Sequence, residues 1–202
     1  MADQTKILSG RDFKVYTVDW STTNTKPLNT VLYGTAWATP AGQTSPWVEA
    51  GYTDGGLTFS AEITRGEIRV DQELDPVLRP ATGRDMRMST TFAEFTAANI
   101  KAATGQGTIT TTAATTAARG NTDLDISGTI ADLYLSVGFD ILHPGDQQAF
   151  RVFGWKCLPT AGFTGTVNPE DKATVAFEMQ LLPDTSTVPS RIMKISDVIP
   201  IG

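Results

Sequence analysis

The chain is short of the residues that most chemistry needs. Among 202 residues there is one cysteine, Cys157, and one histidine, His143. One cysteine excludes an intrachain disulfide, and the pair excludes a Cys/His zinc set and any mechanism using two histidines. Basic residues are the minority: Lys+Arg 16 against Asp+Glu 22 leaves a net charge of -6. No stretch gathers the Lys and Arg needed to displace counterions from phosphates, so a grip on nucleic acid is disfavoured. No apolar run approaches the roughly 20 residues of a membrane helix. Met1 to Arg11 holds only Ile7 and Leu8 as bulky apolar residues, so no secretory apolar region is expected. No Asn-x-Ser/Thr sequon occurs, Asn168 being followed by Pro169. These absences point to a protein made and left in a cytosol.

What is present suits strands. A chain of this length hides roughly 70% of its unfolded surface, enough for one well-buried core, so a single domain is the default. Threonine is abundant, and Gly 18 with Pro 11 punctuates the apolar segments. Over Ala131 to Ile141, the residues Ala131, Leu133, Leu135, Val137, Phe139 and Ile141 alternate with polar or small ones, predicting a strand with one buried face. Leu57 to Thr64 reads likewise, with Leu57, Phe59, Ala61 and Ile63 opposite Thr58, Ser60, Glu62 and Thr64. So does Ala173 to Leu181, through Val175, Phe177, Met179 and Leu181. Weaker strand signals lie at Lys14 to Val18, Glu67 to Asp71, Arg84 to Thr90 and Ala149 to Leu158. The last is apolar on both faces, as a strand covered on both sides would be.

One helix is predicted, Phe92 to Ala103. Thr91 with Glu94 three residues later spells a capping box, Gly105 supplies a left-handed exit, and Phe92, Phe95, Asn99 and Ala102 share a stripe. Three segments look irregular: the Thr-, Asn- and Pro-rich Trp20 to Ser45, the turn-rich Asp71 to Gly83, and the Thr/Ala/Gly stretch Gly105 to Gly120. The last fits either a mobile insertion or a loose hairpin.

Catalytic arrangements are sought without success. His143 sits in the turn Leu142-His143-Pro144-Gly145-Asp146, and Cys157 in an apolar strand, where a small buried thiol is the ordinary explanation. No Gly-x-Ser-x-Gly elbow and no phosphate loop occurs. Asn121 to Asp132 imitates a calcium loop, but Ile126 stands where glycine is required and Asp132 where Glu is. Its plainer reading is a strand edge with Asp123 and Asp125 outside and Leu124 and Ile126 inside. No enzyme, metal or cofactor is therefore expected. Between Arg119 and Arg151 stand Asp123, Asp125, Asp132, Asp140 and Asp146 with no Lys or Arg. This is either a solvated acidic face or a surface that repels polyanions.

Taken in order, Trp47 to Glu62 with its Gly51-Tyr52-Thr53-Asp54-Gly55-Gly56 turn, Ile68 to Gln72, Asp75-Pro76-Val77 and Met86 to Ile100 resemble the major tail tube proteins of long-tailed bacteriophages. Phe150 to Trp155 and Ala173 to Asp184 are similar to that family's closing strands. The resemblance implies a mainly β fold of two packed antiparallel sheets, a sandwich or flattened barrel, with one flanking helix. The chain is read as a single domain over 1–202 with an N-terminal arm at about 1–12, a C-terminal arm at about 188–202 and a low-complexity insertion at about 105–120 that has no counterpart in the family; the resemblance maps a stacking loop onto about 66–83. It further implies hexameric rings stacked into a tube around a tape-measure protein, assembled in a host bacterial cytoplasm and residing in the virion tail, with DNA passing through unbound. Thr58, Ser60, Glu62 and Thr64 would then face the lumen, with Arg87 an awkward cation among them. Arg69, Asp71, Glu73, Asp75 and Arg79 would make ring-to-ring contacts. Two alternatives stay open: a tube subunit of a contractile tail or injection apparatus, and a β-sandwich module binding a carbohydrate or receptor through Trp20, Trp37 or Trp47.

Overall fold

The computed structural model describes residues 13–22, 47–116, 118–129, 132–142, 149–163 and 172–197. His143, Asp146, Trp37, the arm at about 1–12 and residues 198–202 lie outside these. In chain order the elements are β1 (Phe13–Asp19), β2 (Val48–Glu49), β3 (Thr53–Arg65), β4 (Ala81–Phe92), α1 (Ala97–Thr104), β5 (Thr108–Thr112), β6 (Asn121–Asp125), β7 (Leu135–Leu142), β8 (Ala149–Pro159), β9 (Val175–Leu182) and β10 (Met193–Asp197).

Eight strands form one antiparallel sheet: seven follow the hydrogen-bonded path β2-β1-β7-β8-β9-β4-β3, and β10 is added to β8. The long strand β8 makes the corner. Phe150 to Gly154 lie between β7 and β10, whereas Lys156 to Pro159 pair with β9. Between those halves Leu135 and Val137 of β7 face Cys157 and Gly154 of β8, so the bend carries one extra residue. The result is sandwich-like. Val15, Val137, Phe139 and Val152 from the first half share one core with Met88, Phe92, Val175, Phe177, Met179 and Leu181 from the second. Contact is close at the corner: a Cβ on Gly154 would stand 2.6 Å from Cys157 Sγ and 3.1 Å from Met88 Cε. The mainly β architecture, with one flanking helix among the described residues, is as the sequence implies.

The first half is covered on both faces, which corrects the one-sided expectation for β7. Tyr16, Val18, Trp47 and Phe153 form a second buried cluster, and every residue from Leu135 to Ile141 is buried. Asp140 is therefore no surface charge. Both Asp140 and Arg151 are fully buried, with Arg151 Nε donating to Asp140 Oδ1 at 2.7 Å, so the carboxylate is paid for by a guanidinium directly across the ladder.

The helix is shorter than expected. β4 claims Phe92, whose ring packs on Phe177 with centroids 4.5 Å apart, and Phe95 is left exposed. The cap is Thr96, whose Oγ1 accepts from Asn99 N at 3.2 Å, and not Thr91. Glu94 instead accepts the Tyr52 N–H at 3.0 Å. Its carboxylate lies over Gly51, whose φ of 76° and lack of a Cβ admit it. Buried Asn99 ties the helix to the strands, its Nδ2 donating to Ala50 O and Glu94 O, both at 2.9 Å. Gly105 provides the left-handed exit as expected. The Thr/Ala/Gly stretch opens as β5 of the hairpin β5–β6, with Leu124 half-buried and Ile126 exposed against expectation. Of Glu67 to Asp71 only a single bridge, Ile68 to Leu78, has strand character. The strand β10, unforeseen by periodicity, lies within the region assigned to a C-terminal arm.

Candidate functional site

The feature that sets this molecule apart from a self-contained sandwich is the β3–β4 hairpin. β3 ends the strand order, and beyond Arg87, which pairs with Gln180, β4 no longer has β9 beside it. The two strands continue as a ribbon through Ala61↔Met86, Glu62↔Asp85, Ile63↔Arg84, Thr64↔Gly83 and Arg65↔Ala81. Every residue of β3 from Thr58 on is exposed. The ribbon leaves the body at a bulge between Asp54 and Thr58 containing Gly55 and Gly56, both with φ near 80°, and Thr90 Oγ1 donates to Gly56 O at 2.8 Å to hold it.

The register assigns the ribbon's faces. Phe59, Ala61 and Ile63 lie opposite Met88, Met86 and Arg84. Met88 belongs to the core, so this is the core face carried outward until nothing covers it. Phe59 is 47% and Ile63 55% exposed, which corrects the expectation that this side of the strand is buried. At the tip Leu74 is 96% exposed, and Ile68, Val70, Val77 and Leu78 are exposed too. Thus the segment 59–78 holds half of the fourteen exposed large hydrophobics among the described residues, concentrated on one projection. Sequence reasoning missed this patch. Its one signal was apolar residues persisting at 68, 70, 74, 77 and 78 with no alternation that could bury them.

The expected lumen residues Thr58, Ser60, Glu62 and Thr64 lie together on the other face, across from Ser89, Arg87, Asp85 and Gly83. Arg87 donates to Asp85 Oδ2 at 3.0 Å and to Glu178 Oε1 at 3.4 Å, while Gln180 Nε2 donates to Asp85 Oδ1 at 3.1 Å. Hydrogen bonds from Arg87 and Gln180 hold the Asp85 carboxyl below its usual range, and Asp85 and Glu178 raise Arg87. Of the expected ring-to-ring residues, Arg69 and Arg79 both pair with Glu67, at 3.0 and 2.9 Å, and stay exposed. Asp71, Glu73 and Asp75 remain at the exposed tip.

Elsewhere the structure gathers little reactive chemistry. Burial pushes the Cys157 thiol up to about 12, so it stays protonated at neutral pH. Among the described residues no three His, Cys, Asp or Glu side chains group to hold a metal ion, and no helix is long and apolar enough to cross a membrane. Asp123, Asp125 and Asp132 are exposed as the acidic reading expects. Trp47 is 8% exposed, edge-on to Phe153, and Lys156 Nζ lies 4.7 Å above the Trp20 ring, so neither offers the open platform of a glycan site. Comparison with known proteins finds no matching family model and no matching curated relative.

Proposed function

We propose that the chain is a self-assembling structural subunit, in the manner of a phage tail tube protein: copies close into hexameric rings that stack into a hollow tube around a tape-measure protein and conduct DNA. The uncovered β3–β4 ribbon carries this reading. An apolar face and a free strand edge on one projecting element are costly in water and prone to indiscriminate pairing. Neighbours in a heterologous ring remove both liabilities at once, because each copy covers the next and the ring leaves no edge over. The exposed tip at 66–83 would contact the following ring. The polar face with Thr58, Ser60, Glu62 and Thr64 would line the channel, and the virion tail would be its location.

The test is direct. Concentrated protein imaged by negative stain and sized by sedimentation is expected to show rings and then tubes. A chain that stays monomeric at every concentration, even with tail partners present, sinks the proposal. A helical sheath around such tubes in the native particle would assign them to a contractile apparatus instead.

A further inference from the structure

Cations are few on the polar face of the ribbon, and each makes an ion pair or a ring contact there, Arg87 with its side chain still about half exposed. From Thr58 outward the charged residues on this face of β3, β4 and β9 are Glu62, Asp85, Arg87 and Glu178, three carboxylates to one guanidinium; at its inner end Asp54, opposite Thr91, pairs with Lys172 at 2.9 Å. Arg87 has five N–H donors in a planar fork suited to phosphate. Here Nε is committed to Asp85 at 3.0 Å and Nη1 to Glu178 at 3.4 Å. Gln180 engages the other Asp85 oxygen at 3.1 Å, which turns Oδ2 toward the guanidinium. Asp85 and Arg87 are two apart on one strand, whereas Glu178 reaches across from β9, where it pairs with Ser89. Two separate elements thus contribute to the clasp. The next cation along, Lys156, in register with Leu182, lies over the rings of Trp20 and Tyr134 at 4.7 and 4.2 Å.

We infer that Asp85, Glu178 and Gln180 are positioning residues that sequester Arg87, so that the face meets a polyanion without a free phosphate-binding cation. The inference rests on the assembly reading, under which this face repeats around a channel and even one free arginine per copy would become a dense array of phosphate contacts. Each such contact releases counterions and adds about 0.9 to the slope of log affinity against log salt. A clasp that holds the arginine inside the face makes the surface slippery to duplex DNA while keeping the ion pair for the sheet.

The experiment is a gain of binding. Tubes of the wild type, of Asp85→Asn/Glu178→Gln, and of that variant with Arg87→Gln added are titrated with a short fluorescent DNA duplex over a range of salt. The wild type is expected to retain none. The doubly neutralised tubes should bind at least about tenfold more tightly at low salt and lose the duplex steeply as salt rises. Adding Arg87→Gln should abolish the gain, which a change in stability alone would not do. Glu178→Gln by itself, releasing the longer contact, gives a smaller gain in a less disturbed protomer. Neutralised tubes that bind no more than the wild type, or binding that survives Arg87→Gln, overturn the inference while leaving assembly intact. A wild type that forms no tubes overturns both.

Discussion

β3 and β9 flank the same strand, β4, and both alternate apolar with polar residues, yet they end in opposite environments. In β9, Val175, Phe177, Met179 and Leu181 are all buried. In β3, Phe59 and Ile63 stand half open. The difference lies in what faces each strand. β9 runs beneath Val15, Val137, Phe139 and Val152 of the other half of the sheet, whereas β3 continues past that cover with its partner strand alone. Alternation therefore reports that a strand has an apolar side, and the length of the facing layer decides whether its own chain can bury it. Where it cannot, the apolar side is available to a second molecule.

The sharpest way to break the comparison is to damage the covered region. Arg151→Met leaves the Asp140 carboxylate buried without its guanidinium, and a denaturant titration should show a loss of about 3–5 kcal/mol. A variant as stable as the wild type would mean that the body does not depend on this pair. A smaller effect, with a pH signature, is expected at the loop clasp. Arg191 Nε donates to Asp184 Oδ2 at 2.8 Å, and Asp184 is 1% exposed. Burial alone would raise the Asp184 carboxyl, but hydrogen bonds from Ser186 and Arg191 outweigh it and hold it below its usual value. A depressed folded value contributes stability that is complete above the unfolded value near 3.9 and is lost as pH falls through the folded one. Asp184→Asn should cost about 1.5–3 kcal/mol at neutral pH, and its melting curve should converge with that of the wild type in acid. A gap unchanged down to low pH would show that the clasp acts through shape and not charge.

The smallest effect on the protomer, and the most telling for the contrast, belongs to the ribbon. Phe59→Ser with Ile63→Ser should cost the isolated protomer no more than about 1.5 kcal/mol, well below the same pair in the core, because both side chains already stand half exposed. Sedimentation should nonetheless show assembly abolished. If the pair destabilises the protomer as a core substitution does, the ribbon is packed in solution and the contrast with β9 fails.

Much of the architecture was legible because it depends on near neighbours in the chain. Period two marked β9 and the polar face of β3, and the left-handed exit at Gly105 needs only a glycine after a helical turn. The errors share a cause. Thr91 and Glu94 have capping-box spacing, but the core's demand for Phe92 extended β4 and released Glu94 to Tyr52. Asp140 reads as one of five surface aspartates until β8 sets Arg151 opposite it. Arg87 looks misplaced on a lumen face until Glu178, ninety-one positions away, is brought beside it.

The amino-acid sequence alone determined that this is a β-rich chain with a helix ending at Gly105, one cysteine, one histidine and an acidic balance, because composition and period-two patterning act locally. Which apolar face would be left uncovered, which charges would be buried and which cation would be clasped were decided only when distant strands met. Burial and ion pairing depend on the layer opposite, and that layer is supplied by residues far along the chain.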